Sequence, residues 1–424
     1  MIYKIIQLLL CISIIIIIHE LGHFIFAKLL GTRVERFFLF FDPGFSLFKI
    51  KIKNTIYGIG WLPLGGYIKI SGIIPDNSNP TNNDDFYLKS NWKKLLIMLG
   101  GVIANVLLSI IIFSLIIFNY KEVYLPVKNM KYGIVVNSIL RNLGLKNGDY
   151  ILSVDGKQIK NFLHLPKSII LGNSITINRM GNIITLPIKD YQKKLLFENK
   201  NLFISPRIPI IIGKIIKDSK ADKDGLKIID KIIAINSKKV IFLDQLKEIL
   251  QNYKNSNIIL SINRNGKLLN LKTTTNSILN IVFTVDLKIE KINYNFIESI
   301  QAGIIKTWDS LKTQINCLKQ VLKYKAYKQV GSFFSIANIF SKKWNGEIFW
   351  GLTATLSIWI AFLNILPIPS LDGGYVLFVL LEMITGKKLT TNFIENAITI
   401  GFILLTFLML IVLILDILNN FIFV

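Results

Sequence analysis

The stretch Ile14-Ile15-Ile16-Ile17-Ile18-His19-Glu20-Leu21-Gly22-His23-Phe24-Ile25-Phe26 constrains this chain more than any other. It lies in an apolar run from Ile5 to Leu30, long enough to cross a bilayer as a helix. His19 and His23 are four positions apart, so on a helix both imidazoles leave one face and can grip a single metal ion, with Glu20 beside them. That is the arrangement of a zinc hydrolase. The histidines hold Zn²⁺, the ion brings the pKa of a water towards neutrality, and Glu20 takes its proton during attack on a carbonyl. With 3 His in 424 residues a chance match is rare. Ionisable groups inside a membrane-grade segment are costly and mark functional sites.

A chain of 424 residues that is 52% hydrophobic is too long for one ordinary domain and too apolar for a soluble protein. Its 50 Lys+Arg against 26 Asp+Glu give a formal charge of +24. The lysines are scattered through Ile- and Asn-rich stretches (Lys227, Lys231, Lys238, Lys239), and no nucleic-acid-binding motif accompanies them, so nucleic acid is not an expected partner. The 2 cysteines, Cys11 and Cys317, exclude a disulfide framework and read as small packing residues. The first run resembles a signal peptide, with Lys4 before an apolar core. No small-residue cleavage site follows it, so it is expected to stay as a membrane helix.

Four segments are apolar enough to span: Ile5 to Leu30, Leu95 to Phe118, Ile348 to Leu366 and Phe393 to Leu415. Lys28, Arg33, Arg36, Lys49, Lys51, Lys53, Lys69, Lys89, Lys93 and Lys94 lie between the first two, and Lys387 and Lys388 between the last two. The positive-inside rule puts these two loops in the cytoplasm and both termini outside, and residues 121 to 346 are then exported. From Lys4 to His19 a helix rises about 22 Å through a core of roughly 30 Å, so the metal lies nearer the cytoplasmic side.

After the first span, Phe48-Lys49-Ile50-Lys51-Ile52-Lys53 alternates, turns near Asn54-Thr55 and returns through Ile56-Tyr57-Gly58-Ile59-Gly60-Trp61, the pattern of a β-hairpin. Leu62-Pro63-Leu64-Gly65-Gly66-Tyr67-Ile68-Lys69 is too interrupted for a helix. A hairpin edge beside the metal can capture an unwound substrate as an added strand, which peptide hydrolysis requires because a helix hides its carbonyls. Ile50 and Ile52 on one arm, and Gly65 and Gly66 after it, are candidate substrate contacts.

Residues 121 to 290 contain a repeat. The segment from Gly144 to Lys157 aligns without gaps on Gly225 to Lys238, an offset of 81 residues. Gly-Leu, an acidic residue, an apolar strand and a turn resemble PDZ domains, which bind peptides by strand addition. His164, without His or Cys near it in sequence, reads as a surface residue. From Tyr294 to Tyr327 apolar residues at helical spacing alternate with lysines, which suits an amphipathic helix on the membrane surface or one packed on the second repeat.

In Asn364-Ile365-Leu366-Pro367-Ile368-Pro369-Ser370-Leu371-Asp372-Gly373-Gly374 prolines and glycines interrupt an apolar segment. Such backbone is tolerated at membrane depth only where it is buried or lines a wet cavity. Asp372 is therefore the natural third zinc ligand, leaving the fourth position for water.

Taken together, the His-Glu-Leu-Gly-His helix, Leu-Pro-Leu-Gly-Gly-Tyr, Gly101-x-x-x-Asn105, the repeat and Asn-x-x-Pro-x-Pro-x-Leu-Asp-Gly resemble the bacterial site-2 protease family, closest to its regulator of sigma-E branch. The likeness covers nearly the whole chain. It implies a polytopic α-helical membrane protein with four transmembrane helices, a membrane-re-entrant β-hairpin and two exported PDZ-like α+β domains. The expected division is 1–120, 121–205, 206–290, 291–346 and 347–424. The implied activity is zinc-dependent cleavage of transmembrane segments in the cell inner membrane, of an anti-sigma factor after a first cut and of signal-peptide remnants. By motif, His19, His23 and Asp372 are ligands, Glu20 is the base, and Asn364 contacts substrate. Val102 stands where the family usually has Pro, and Tyr375 where a His often follows Leu-Asp-Gly-Gly. A contrasting reading is a non-catalytic scaffold that holds partners through its PDZ-like copies, its metal motif vestigial; the intact His19, Glu20, His23 and Asp372 weigh against it.

Overall fold

The computed structural model describes residues 2–62, 65–73, 84–198, 204–253, 256–278, 281–284, 287–325 and 333–417. The chain divides into two compact units, one built from Met1–Glu122 and Asn293–Val424, the other from Val123–Ile292.

The first unit contains the helices α1 (Ile2–Leu29), α2 (Asn91–Tyr120), α3 (Phe296–Tyr324), α4 (Phe333–Ile339), α5 (Gly346–Asn364), α6 (Asp372–Thr385) and α7 (Thr391–Ile417). Of these, α1, α2, α5 and α7 are long and apolar enough to cross a membrane. The four expected spans are thus present, each starting two to four residues earlier than the hydropathy suggests. α6 was not foreseen: the chain leaves helix for only seven residues after Asn364 and winds again at Asp372.

α2 is the axis on which α1, α3, α5 and α6 all pack. Where α1 meets it, a Cβ at Gly22 would stand 2.7 Å from that of Ala104, and one at Gly100 2.8 Å from the Gly22 carbonyl oxygen. The two backbones approach this closely because neither residue carries a side chain. Dispersion at close range replaces the hydrophobic drive that lipid cannot supply.

The expected hairpin is formed by β2 (Phe41–Ile52) and β3 (Thr55–Leu62), with the turn at Lys53 and Asn54. It is not a lone hairpin. β1 (Val34–Leu39) pairs parallel with β3, and β4 (Tyr67–Ile70) pairs antiparallel with β1, giving a sheet of order β2-β3-β1-β4 with β2 and β4 as its edges.

The expected helix forms as α3. It lies against α2 and α5, through Ser299, Gly303 and Thr307 at four-residue spacing, while Ile300, Ile304 and Trp308 of its apolar stripe stay exposed. Thr307 Oγ1 stands 3.3 Å from Ser109 Oγ of α2, and Gln314 donates to the Thr355 carbonyl of α5 at 3.1 Å. Small residues, not bulky apolar ones, decide which face packs. Cys11 is fully buried, as a packing residue is expected to be, whereas Cys317 on α3 is exposed.

The second unit shows the repeat as architecture. In its first half Tyr150–Val154, Ser174–Arg179 and Asn182–Pro187 form an antiparallel sheet; in its second, Lys231–Ile235, Asn257–Arg264 and Lys267–Thr274 do the same, with Lys238–Lys239 added. Each half has its own apolar core, around Leu140, Ile151 and Ile175 in one and Ala221, Ile232 and Leu260 in the other. The aligned acids Asp149 and Asp230 are buried and paired with Arg179 and Arg264, both at 2.7 Å, and each arginine also donates to a glycine carbonyl, Gly144 or Gly225. The halves are tied by Asp244, which accepts from Arg207 at 3.0 Å and from Asn147 at 2.9 Å. His164 is exposed.

Candidate metal centre

Three elements bring the chemistry together. His19 and His23 leave one face of α1, and Asp372 opens α6 after the proline-interrupted turn. His19 Nε2 and His23 Nε2 are 3.2 Å apart, and Asp372 Oδ2 lies 3.0 Å from the first and 3.2 Å from the second. Ligand atoms of a tetrahedral zinc site with bonds of about 2.0–2.1 Å stand about 3.3 Å apart, so this triangle is the base of such a site.

Hydrogen bonding on the far side of each ring makes the donor set fit. His23 Nδ1 donates to the Ile97 carbonyl at 2.8 Å, which leaves Nε2 a lone pair aimed at the cluster. The Asn105 amide lies 3.3 Å from His19 Nδ1, and its Oδ1 is buried with no hydrogen-bond partner. Turned about its last torsion, that amide accepts from His19 Nδ1–H and frees Nε2 as well. Two imidazole lone pairs and a carboxylate then converge, a set that a cation satisfies at all three atoms at once.

α2 supplies the floor. A Cβ at Gly101 would stand 2.5 Å from His23 Nε2 and 2.7 Å from His19 Nδ1, so any other residue displaces the rings. Asn105 is itself held by Ser357 of α5, whose hydroxyl donates to its backbone carbonyl at 2.9 Å.

Glu20 stays out of the triangle, and the backbone of Ile68 on β4 stands beside its carboxylate. Asn364, the last residue of α5, presents Nδ2 3.2 Å from His19 Nε2. Of the other sequence candidates, Gly65 and Gly66 lie at the start of β4, Gly65 against Ile16 of α1 and Gly66 against the Phe38 backbone. Ile50 and Ile52 are exposed on β2, the opposite edge of the sheet, with β3 and β1 between. At about 4.8 Å per strand they stand some 14 Å from β4.

The whole-chain pattern agrees with a family model. Residues 7–408 match the model of peptidase family M50. The chain belongs to that family. Among similar proteins, one of Borreliella burgdorferi named "Putative zinc metalloprotease" is 28% identical over 422 residues, covering 92% of this chain and 93% of its own. The "Regulator of sigma E protease" of Haemophilus influenzae is 25% identical over 418 residues, covering 90% and 91%. This M50 peptidase is accordingly a zinc metalloprotease of the membrane, and the His19–His23–Asp372 cluster fits its zinc in donor type and size.

Sequence reasoning missed Ile68, Ile97, Gly101 as the floor, and Ser357. Gly101 and Asn105 were seen as a motif, but nothing in their spacing says that they touch the histidines.

Proposed function

We propose that this M50 peptidase hydrolyses peptide bonds within transmembrane segments of membrane proteins, with an anti-sigma factor already trimmed by a first protease, and signal-peptide remnants, as substrates. The observation that carries the reading is a His-His-carboxylate triangle with a separate glutamate beside it, set among helices apolar enough to span. The name of the Haemophilus influenzae relative supports the anti-sigma reading.

His19, His23 and Asp372 would hold the zinc. Bound there, the ion supplies Lewis acidity that makes a water nucleophilic at neutral pH. Glu20, with the Ile68 backbone of β4 beside its carboxylate, would take the proton of the attacking water and pass it to the leaving nitrogen. The Asn364 amide, beside His19 on the open side, donates to the carbonyl oxygen as charge develops on it.

The substrate must be extended to expose its carbonyls. β4 is the unpaired edge nearest Glu20, and the segment from Gly65 and Gly66 into β4 receives the substrate as an added strand. The β2–β3 arm dips into the membrane as a re-entrant hairpin, and Ile50 and Ile52, on its exposed edge, contact the flank of the substrate within the bilayer. The lysine distribution supports an inner-membrane protein with both termini periplasmic and the site towards the cytoplasm. Residues 1–120 and 347–424 then form the catalytic core, 291–346 the connecting region, and 121–205 and 206–290 two periplasmic PDZ-like domains that reject substrates with bulky outer parts.

Purified protein in detergent, incubated with a model transmembrane substrate with and without a chelator, tests the reading. Cleavage that stops with the chelator and returns with added zinc is expected; cleavage indifferent to both removes the zinc mechanism.

A further inference from the structure

Lys94 and Glu382 form an ion pair at 3.0 Å, with side chains only 3% and 8% exposed. No other Lys/Arg–carboxylate pair among the described residues of the first unit is buried on both sides. Taking two charges from water costs several kcal/mol per ion, and well-packed apolar residues of like volume often stabilise as much or more. What such a pair offers that apolar packing does not is direction.

The pair joins the two helices that must agree on the metal site. On α2, Lys94, Ile97, Gly101 and Asn105 fall at spacings of three, four and four, which places them on one face. Ile97 holds His23, Gly101 backs both rings, and Asn105 meets His19. Lys94 begins the same row. On α6, Asp372 is the first residue and Glu382 lies ten positions on, roughly 15 Å along the axis. The segment that precedes α6 is the proline-interrupted turn, so the far end of the helix is where its height can be fixed. There the Glu382 carboxylate is held from two sides, by Lys94 through Oε2 and by the Leu389 N–H through Oε1 at 3.2 Å. The ammonium groups of Lys94 and Lys388 both lie over the ring of Tyr87, 5.3 and 4.0 Å from its centroid, which ties the chain before α2 to the chain after α6.

We infer that Lys94 and Glu382 are positioning residues for the reaction: the pair sets the height of α6 on α2 and so the place of Asp372 against His19 and His23. The inference rests on the reading of Asp372 as a zinc ligand. A slide of about 1 Å at Asp372 breaks a triangle whose sides are 3.0–3.2 Å.

The full-length zinc enzyme in detergent tests it, as wild type, Glu382→Asp, the apolar double variant Lys94→Met with Glu382→Met, and Asp372→Ala. Thermal unfolding, zinc release into a chelator, kcat and KM are measured below the unfolding transition. The double variant is expected to unfold no earlier than wild type, yet to release zinc about tenfold faster and lose about tenfold in kcat, with KM within about twofold. Glu382→Asp, which keeps the charge and shortens the reach, falls between. A folded double variant with wild-type zinc release and kcat overturns the proposal; should the double variant not fold, wild-type zinc release and kcat in Glu382→Asp overturn it. Stoichiometric zinc in Asp372→Ala instead strikes the ligand reading, separately from either result.

Discussion

The backbone of Ile68 on β4 stands beside the carboxylate of Glu20 on α1. That contact places a sheet edge next to the residue proposed as the base. If β4 is the receiving edge, proline at Ile68 removes a backbone donor and distorts the edge. Cleavage should fall by about tenfold or more with zinc retained. Proline at Ile50 or Ile52, on the opposite edge, should cost less. Equal losses at both edges, read by substrate turnover at matched zinc content, would return the substrate strand to β2.

Glu20 and Asp372 are separable by metal analysis. Glu20→Gln should keep full zinc and lose on the order of 10²–10⁴ in turnover, the contribution of a positioned base. Asp372→Ala should lose both zinc and activity, because two histidines alone hold the ion poorly. Substantial turnover in the first variant removes Glu20 as the base.

Gly101 tests the floor of the site. Gly101→Ala puts a methyl 2.5 Å from His23 Nε2, and zinc affinity should drop by about tenfold or more. The helix itself gains propensity from alanine, so helix content by circular dichroism should hold. Unaltered zinc binding would mean that the rings have room to move.

Asp149→Ala and Asp230→Ala each remove a buried carboxylate from a partly exposed arginine in the second unit. Each should cost on the order of 1–2 kcal/mol locally, through the lost charge-assisted hydrogen bonds. Limited proteolysis should then cut within Val123–Ile292 far sooner than in wild type, and wild-type resistance in both variants would show that the pairs are dispensable.

Topology is testable by fusion. A reporter active only outside the cytoplasm should work near Asn173 and be silent near Asp85. The reverse pattern overturns the orientation.

Much of this protein was legible in the sequence because the signals are local. Apolar runs mark α1, α2, α5 and α7 whatever they pack against, since lipid demands only that a helix satisfy its own backbone. The spacing of His19 and His23 fixes a shared face as soon as a helix forms, and alternation from Phe48 to Trp61 foretold β2 and β3. The repeat, read at an offset of 81, reappears as Asp149–Arg179 and Asp230–Arg264.

Only the tertiary structure decided the rest, because it depends on which surfaces meet. Asp372 stands 349 positions from His23 in the chain yet 3.2 Å from it, and Lys94 stands 288 from Glu382. No periodicity of two or 3.6 residues reaches that far. The face of α3 that meets α2, through Ser299, Gly303 and Thr307, is not marked by its apolar stripe, because within a membrane unit close fit between small residues sets the contact. By itself, then, the sequence determined the spans, the metal-binding face of α1 and the repeat. Long-range packing on α2 decided the zinc-sized triangle, the strand that lies beside Glu20 and the pair that seats α6.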